Sequence, residues 1–274
     1  MVAGKTVLIT GSTDGVGRYV AAKLAAAGAQ VLVHGRNAER ANRMIREIEA
    51  TGGSVRFYQA DLSSLAAVRS LAADISRDCV RLDVLINNAG IGPGRLFFSR
   101  RQLSADGHEL RFAVNYLSGF LLTHLLIPLL RNSSPARIVN VASAGQQAID
   151  FSDVMLTRGY SGLRAYYQSK LAQVLFTLDL AQELDGSGVT VTCLHPASLM
   201  NTRMVRQVGV PPMSSVRKGG EAILNLAISP ELAATTGVYY DGLTLSRANP
   251  QAYDLGARKQ LRKLSADLAG LPRT

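Results

Sequence analysis

Tyr166 and Lys170 stand four positions apart in the stretch Ala165-Tyr166-Tyr167-Gln168-Ser169-Lys170. Apolar residues at Leu171, Val174, Leu175 and Leu178 recur at three- and four-residue steps, which predicts a helix from about Gly162 to Leu184. Residues four apart share a helix face. A free phenol has a pKa of about 10 and is a poor acid or base near neutrality. A fixed ammonium beside it favours the phenolate and lowers that pKa. Such a pair can exchange a proton with an alcohol or a carbonyl. Tyr167 flanks Lys170 at a comparable angle, so periodicity alone does not choose between the tyrosines. A Tyr–Lys pair on a solvated helix face is common, so the chemistry needs a cofactor and a third polar group.

A second cluster of small residues supplies the first need. Gly11-Ser12-Thr13-Asp14-Gly15-Val16-Gly17 follows the apolar run Lys5–Thr10 and opens an Ala-rich helix that Gly28 stops. Glycines allow a tight turn and close backbone approach, and a helix N-terminus attracts a pyrophosphate. The spacing, Thr10-Gly11-x-x-x-Gly15-x-Gly17, differs from G-x-G-x-x-G.

These residues need a scaffold, and the chain alternates in the way that provides one. Strands are predicted at Lys5–Thr10, Gln30–His34, Ser54–Gln59, Leu82–Ile86, Arg137–Ala142, Val189–Leu194 and Gly237–Tyr240. Helices are predicted at Asn37–Ala50, Ser63–Arg77, Ser104–Leu130 (with Pro128 as its end or a kink) and Val216–Ile228, and the tail 250–274 reads as helical. Strand–helix alternation means a mostly parallel, doubly wound α/β sheet, here seven-stranded, with helices on both faces. No linker-like shift in composition and no internal repeat divides residues 1–274, so one domain is expected.

Composition narrows the classes. The chain of 274 residues is 47% hydrophobic and 18% charged, enough for a large core. Thirty Lys and Arg against twenty Asp and Glu give a net charge of +10. The basic residues are dispersed without an aromatic-interleaved patch, so the charge reads as a basic surface and not as a nucleic-acid site. The longest apolar run, Gly119–Leu130, is short and broken by His124 and Pro128, so no membrane span is expected. No signal-peptide layout precedes the first strand. Cys79 and Cys193 form no motif and read as core thiols of a reducing, cytoplasmic compartment, and the four histidines lack metal-ligand spacing.

Taken together, Thr10-Gly11-x-x-x-Gly15-x-Gly17, Asn87-Asn88-Ala89-Gly90 after the fourth strand, Ser143 after the fifth and Tyr166-x-x-x-Lys170 resemble the short-chain dehydrogenase/reductases, in the right order along the whole chain. Arg137–Val141, Gln168–Ala172 and the long stretch Gln146–Arg164 between serine and tyrosine look most like the retinol-dehydrogenase-like branch. The resemblance implies a Rossmann fold and hydride transfer between a nicotinamide cofactor and a carbonyl or alcohol. It implies Tyr166 as acid/base, Lys170 lowering its pKa and bonding the nicotinamide ribose, Ser143 holding the substrate oxygen and Asn115 holding a relay water. It implies cofactor contacts from Gly11, Ser12, Thr13, Asp14, Gly15, Val16, Gly17, Asp61, Leu62, Asn88, Ala89, Gly90 and Pro196, beside Tyr166 and Lys170.

Two positions depart from the family pattern. Ala197 replaces the usual glycine after Pro196, and the threonine that often follows lies one residue late, at Thr202. At the end of the second strand, Gly35 replaces the carboxylate of NAD-preferring relatives, and Arg36-Asn37 follows, which favours NADP(H) over NAD(H). Asp14 pulls the other way. Residues 199–216, with Met200, Met204 and Met213, read as an apolar substrate lid, so a small lipophilic carbonyl or alcohol is the expected partner. Surplus apolar positions at Phe112, Tyr116, Phe120 and Phe176 suggest a homodimer or homotetramer through two helices. The alternative reading is a non-catalytic NADP(H)-binding sensor of the same fold.

Overall fold

In the computed structural model, which describes residues 2–94 and 100–272, one sheet runs through the molecule in the order β3-β2-β1-β4-β5-β6-β7-β8. The strands are β1 (Thr6–Ile9), β2 (Gln30–Gly35), β3 (Ser54–Gln59), β4 (Val84–Asn87), β5 (Ala136–Val141), β6 (Val189–His195), β7 (Val238–Asp241) and β8 (Thr244–Ser246). All neighbours are parallel except β7 and β8. The sheet thus has eight strands, not the seven expected. β8 is only three residues long, two of them exposed, so it carries no apolar alternation to announce it.

Strand alternation explains the two-sided core. In β1, Val7 and Ile9 join one apolar cluster and Leu8 joins the other; Val31, Val33 and Leu32 of β2 divide in the same way. Successive strand side chains point to opposite faces, so an uninterrupted apolar strand must be covered on both. Helices α1 (Gly15–Ala26), α2 (Ala38–Glu49) and α8 (Val216–Ile228) contribute to one cover. Helices α3 (Leu65–Asp78), α5 (Ser118–Asn132), α6 (Gly162–Glu183) and α9 (Leu255–Ala269) contribute to the other. Cys79 and Cys193 are free and buried.

The long central helix differs from expectation. It is continuous over Leu110–Asn132, as α4 (Leu110–Phe112), a π turn (Ala113–Leu117) and α5, and Pro128 sits inside it without ending it. Residues 104–109 form a turn instead, in which Ser104 Oγ accepts from the N–H groups of Asp106 and His108. This helix is long and apolar enough to cross a bilayer by length and composition, which corrects the sequence reading; 67% of its apolar window is buried inside the fold. The tail forms a short 3-10 turn, Pro250–Tyr253, then α9; its last two residues, like Met1, lie outside the described residues. Strand order reverses between β1 and β4, and such a switch point opens a crevice at the carboxyl ends of the strands.

Candidate active site

The loops after β1 and β4 are bolted together at that crevice. Asn88 Nδ2 donates to the carbonyls of Thr10 (2.8 Å) and Gly11 (3.1 Å). Thr10 Oγ1 accepts from the N–H groups of Asn88 and Ala89, each at 3.0 Å. The approach leaves no room for side chains: a Cβ on Gly11 would lie 2.8 Å from Ala89 Cα, and one on Gly17 2.5 Å from Asn88 Nδ2. Gly11 also has a φ of +63°, which side chains rarely adopt. These glycines form a bare backbone cradle at the N-terminus of α1, which fits the pyrophosphate of a dinucleotide.

His34 is a member of this cradle that motif reasoning missed. It is buried; the Gly11 N–H donates to its Nδ1 at 3.1 Å, so Nε2 carries the proton and meets the Ala60 carbonyl at 3.2 Å. Burial pulls its pKa down to about 4, so the imidazole is neutral. A polar residue following the apolar run Val31–Val33 within β2 was the available signal.

Not every expected cofactor residue presents a side chain to the crevice. Ser12 is fully buried, donating to the Ile9 carbonyl (2.8 Å) and accepting from the His34 N–H (2.9 Å). Val16 and Leu62 belong to the two apolar clusters, and Pro196 is buried. Asn37 caps α2 by accepting from the Arg40 N–H at 2.8 Å. Asp14 caps α1 through the Gly15 N–H at 2.8 Å and pairs with Arg40 at 3.4 Å. Exposed Arg36 pairs with Asp61 at 3.6 Å. Burial pushes the Asp61 carboxyl up, but hydrogen bonds from Ser63 and the charge of Arg36 hold it below its usual value.

Ser143, Tyr166 and Lys170 converge beyond the ends of β5 and β6. Ser143 Oγ accepts from the Gly145 N–H at 3.0 Å, and the Ser143 side chain pulls the pKa of the Tyr166 phenol down. The Tyr167 ring turns elsewhere and lies flat against Gly145, where a Cβ would come within 2.4 Å of it. Lys170 Nζ is buried, donates to the Val141 carbonyl (2.8 Å) and Gln173 Oε1 (2.9 Å), and lies 5.9 Å from the Tyr166 ring centroid. Burial drops the Lys170 pKa to about 7. It raises that of Tyr166, opposed by the Ser143 side chain. The expected lowering of the phenol by Lys170 is therefore absent here, because the ammonium is directed at Val141 and Gln173. Buried His195 at the end of β6, with Nε2 3.1 Å from Ser198 Oγ, is held below its usual pKa by burial, against the pull of Asp241.

Asn115 lies in the π turn, a helix irregularity frequent at functional sites. Its Oδ1 accepts from the Ile91 N–H (2.7 Å), and its Nδ2 donates to the Ile91 carbonyl (3.1 Å) and Ser169 Oγ (2.9 Å). The side chain is a splint for the loop after β4. Gly90 packs beside it: a Cβ there would lie 3.3 Å from Asn115 Oδ1 and 3.6 Å from Lys170 Nζ.

A family model of short chain dehydrogenase matches residues 5–210. The chain belongs to the short-chain dehydrogenases. Human retinol dehydrogenase 13 is 37% identical over 98% of this chain and 86% of its own length. Mouse retinol dehydrogenase 14 is 33% identical over 99% and 87%. A crystal structure of an uncharacterised protein from Mycobacterium paratuberculosis superposes with a TM-score of 0.80 at 30% identity, covering 98% of this chain and 94% of that one. The Pseudomonas aeruginosa RhlG/NADP active-site complex gives 0.72 at 30% identity, over 87% and 94%. As a short-chain dehydrogenase of the retinol-dehydrogenase-like branch, the protein is an oxidoreductase acting on CH–OH groups and the corresponding carbonyls with a nicotinamide cofactor.

The segment expected as a lid contains α7 (Arg203–Val208). The Met204 side chain lies against Gly92, and Thr202 against Gly15, so the segment bridges the loops after β4 and β1. The late threonine thus packs on the glycine loop. Met200 turns away onto Gly219 of α8, and Met213 is exposed.

Proposed function

We propose that the enzyme interconverts a lipophilic carbonyl and its alcohol with NADP(H), using Tyr166 as acid/base. The observation that carries this reading is the Tyr166 phenol set under the influence of the Ser143 side chain and beside the buried Lys170, whose Nζ lies 5.9 Å from the Tyr166 ring centroid. In reduction, the Tyr166 hydroxyl gives its proton to the substrate oxygen, which Ser143 Oγ also holds; in oxidation the phenolate takes it back. Lys170 Nζ lies 5.9 Å from the Tyr166 ring centroid, and its ammonium would stabilise that phenolate once it turned from Val141 and Gln173 toward it. When bound, the nicotinamide supplies or accepts the hydride. The glycine cradle, with Asn88, Ala89 and Gly90, would hold it. A lipophilic substrate is supported by Met204 over Gly92 and by the retinol dehydrogenases among the relatives.

Two features support NADP(H). A Cβ on Gly35 would lie 2.6 Å from Thr13 Oγ1, so a carboxylate-bearing side chain at this position requires Thr13 to move. Arg36 is 65% exposed and pairs with Asp61 at only 3.6 Å, so its planar fork can turn to a 2′-phosphate. Arg40 offsets the opposing charge of Asp14. The test is the ratio of kcat/KM with NADPH and NADH. Wild type is expected to favour NADPH, and Arg36→Ala to weaken NADPH use selectively. Preference for NADH, or equal weakening of both cofactors, would overturn the assignment.

A further inference from the structure

Arg111 and Glu109 are the most deeply buried ion pair among the described residues, with side chains 5% and 1% exposed. The proton chemistry described above does not use them. The Arg111 guanidinium donates Nε to the Gly92 carbonyl (3.0 Å), Nη2 to the Pro93 carbonyl (2.8 Å) and Nη1 to Tyr160 Oη (2.6 Å). Its Nη1 also lies 3.5 Å from Glu109 Oε1, which accepts from Tyr160 Oη at 3.0 Å, while Glu109 Oε2 caps the helix at the Phe112 N–H (2.8 Å). Apart from Glu109, every partner of the Arg111 guanidinium lies in one of two segments that flank the reacting groups. Gly92 and Pro93 follow Asn88–Gly90, and Tyr160 belongs to the stretch between Ser143 and Tyr166.

The arrangement continues the Asn115 splint. Asn115, four residues on, holds both polar groups of the Ile91 peptide, and Arg111 holds the next two carbonyls. Three consecutive residues of the loop are therefore fixed to one helix. Gly92 is also the residue on which Met204 of the lid segment rests. The turn before the helix is tied to the Ser143–Tyr166 stretch as well: Arg101 Nε donates to the Met155 carbonyl at 3.0 Å, and the Glu109 N–H reaches Met155 Sδ at 3.4 Å. A forked guanidinium can serve two carbonyls and a phenol at once, which an ammonium cannot do with the same geometry.

We propose that Arg111 is a positioning residue for the substrate: through Gly92, Pro93 and Tyr160 it fixes two walls of the pocket relative to each other and sets the seat of the lid. It touches no reacting atom, and its contacts bypass the glycine cradle. Its loss therefore acts on substrate fit and not on cofactor binding. Arg111→Lys keeps the buried charge and loses the fork. Glu109→Gln/Arg111→Gln removes both charges together, so neither is left unpaired. Tyr160→Phe removes one hydrogen-bonding hydroxyl only.

The experiment measures three quantities on each variant. These are KM and kcat for the aldehyde that wild type turns over best in a panel of decanal, citral and benzaldehyde, the NADPH dissociation constant by fluorescence, and amide hydrogen exchange of the chain without cofactor. Arg111→Lys and the double variant are expected to raise KM about tenfold or more, with kcat and the NADPH constant within about twofold of wild type. Tyr160→Phe should move KM the same way by less. Exchange should accelerate in 89–94 and not in 11–17. A KM that stays at the wild-type value in folded variants, a parallel loss of NADPH binding, recovery of KM in the double variant, or unchanged exchange in 89–94 would each overturn the proposal. Failure of wild type on the whole panel would count against the lipophilic substrate, and the exchange arm would still decide Arg111.

Discussion

At the scale of single residues, the chemistry depends on which tyrosine meets Ser143. Both tyrosines stand near Lys170 on the helix, but it is the Tyr166 phenol that the Ser143 side chain acts on, while Tyr167 packs on Gly145. Tyr166→Phe is expected to lower turnover by about 10²–10⁴-fold with cofactor binding intact, the range of a lost general acid. Tyr167→Phe should keep most activity, and the opposite ranking in steady-state assays would exchange their roles. Lys170 carries a second prediction. Its folded pKa is about 7 against an ordinary value of 10.5. Between these pH values the unfolded chain binds the extra proton, so stability rises with pH across the window; below pH 7 the full cost is present. That cost is on the order of 5 kcal/mol at most, taking 1.36 kcal/mol per unit. Lys170→Met should flatten the rise measured by urea unfolding between pH 7 and 10. A slope equal to wild type would show that the burial of Lys170 is not what sets it.

At the scale of elements, the irregular turn in the central helix does the positioning. A π turn inserts one residue into the helical repeat, and here it contains Asn115, which faces the loop after β4. Replacing Asn115 with Leu keeps the volume but leaves the Ile91 N–H and carbonyl without their partner. An unpaired buried group costs about 1–3 kcal/mol, and these two are part-buried, so a loss of about 1–3 kcal/mol in all is expected in chemical denaturation. A loss below about 0.5 kcal/mol, the range of surface substitutions, would mean that the loop keeps its place without the splint. The sequence identified Asn115 through a family motif, whereas its partners, Ile91 and Ser169, are 24 and 54 residues away. No local pattern could name them.

At the scale of the molecule, α9 changes what the long helices can do. Phe112, Tyr116, Phe120 and Phe176, the basis for expecting a dimer or tetramer, are only 3%, 2%, 2% and 5% exposed. Several of them form edge and tilted ring contacts with one another, and α9 closes over them. Tyr116 Oη meets Ser265 Oγ at 2.7 Å, and Arg262 pairs with Asp179 at 3.4 Å. Pairing of two copies through this face would require α9 to leave. Leu261→Asp, which places a charge at a position 1% exposed, should unseat α9 and uncover the aromatic face. Sedimentation across micromolar concentrations should then show association that increases with the variant's concentration and exceeds that of wild type. A variant that sediments as wild type does would show that α9 is not the cover.

Local chemistry determined what the sequence alone could disclose. The glycine loop, the Tyr166–Lys170 spacing and the two-sided apolar strands are each written within a few residues, because turns, helix faces and strand alternation have short periods. Those features pointed to the sheet, its crevice and the candidate reacting groups. The tertiary structure decided the matters that depend on distant partners. It turned Tyr166 to Ser143 and Tyr167 to Gly145, and buried Lys170 until its pKa fell to about 7. It placed His34 under Gly11, added the short β8, and used α9 to cover aromatics that the helical pattern leaves exposed. It also brought Arg111 to Gly92, Pro93 and Tyr160, residues up to 49 positions away. Burial and hydrogen-bond satisfaction are properties of the packed chain, so the side chains that hold this site in place become identifiable only when the segments meet.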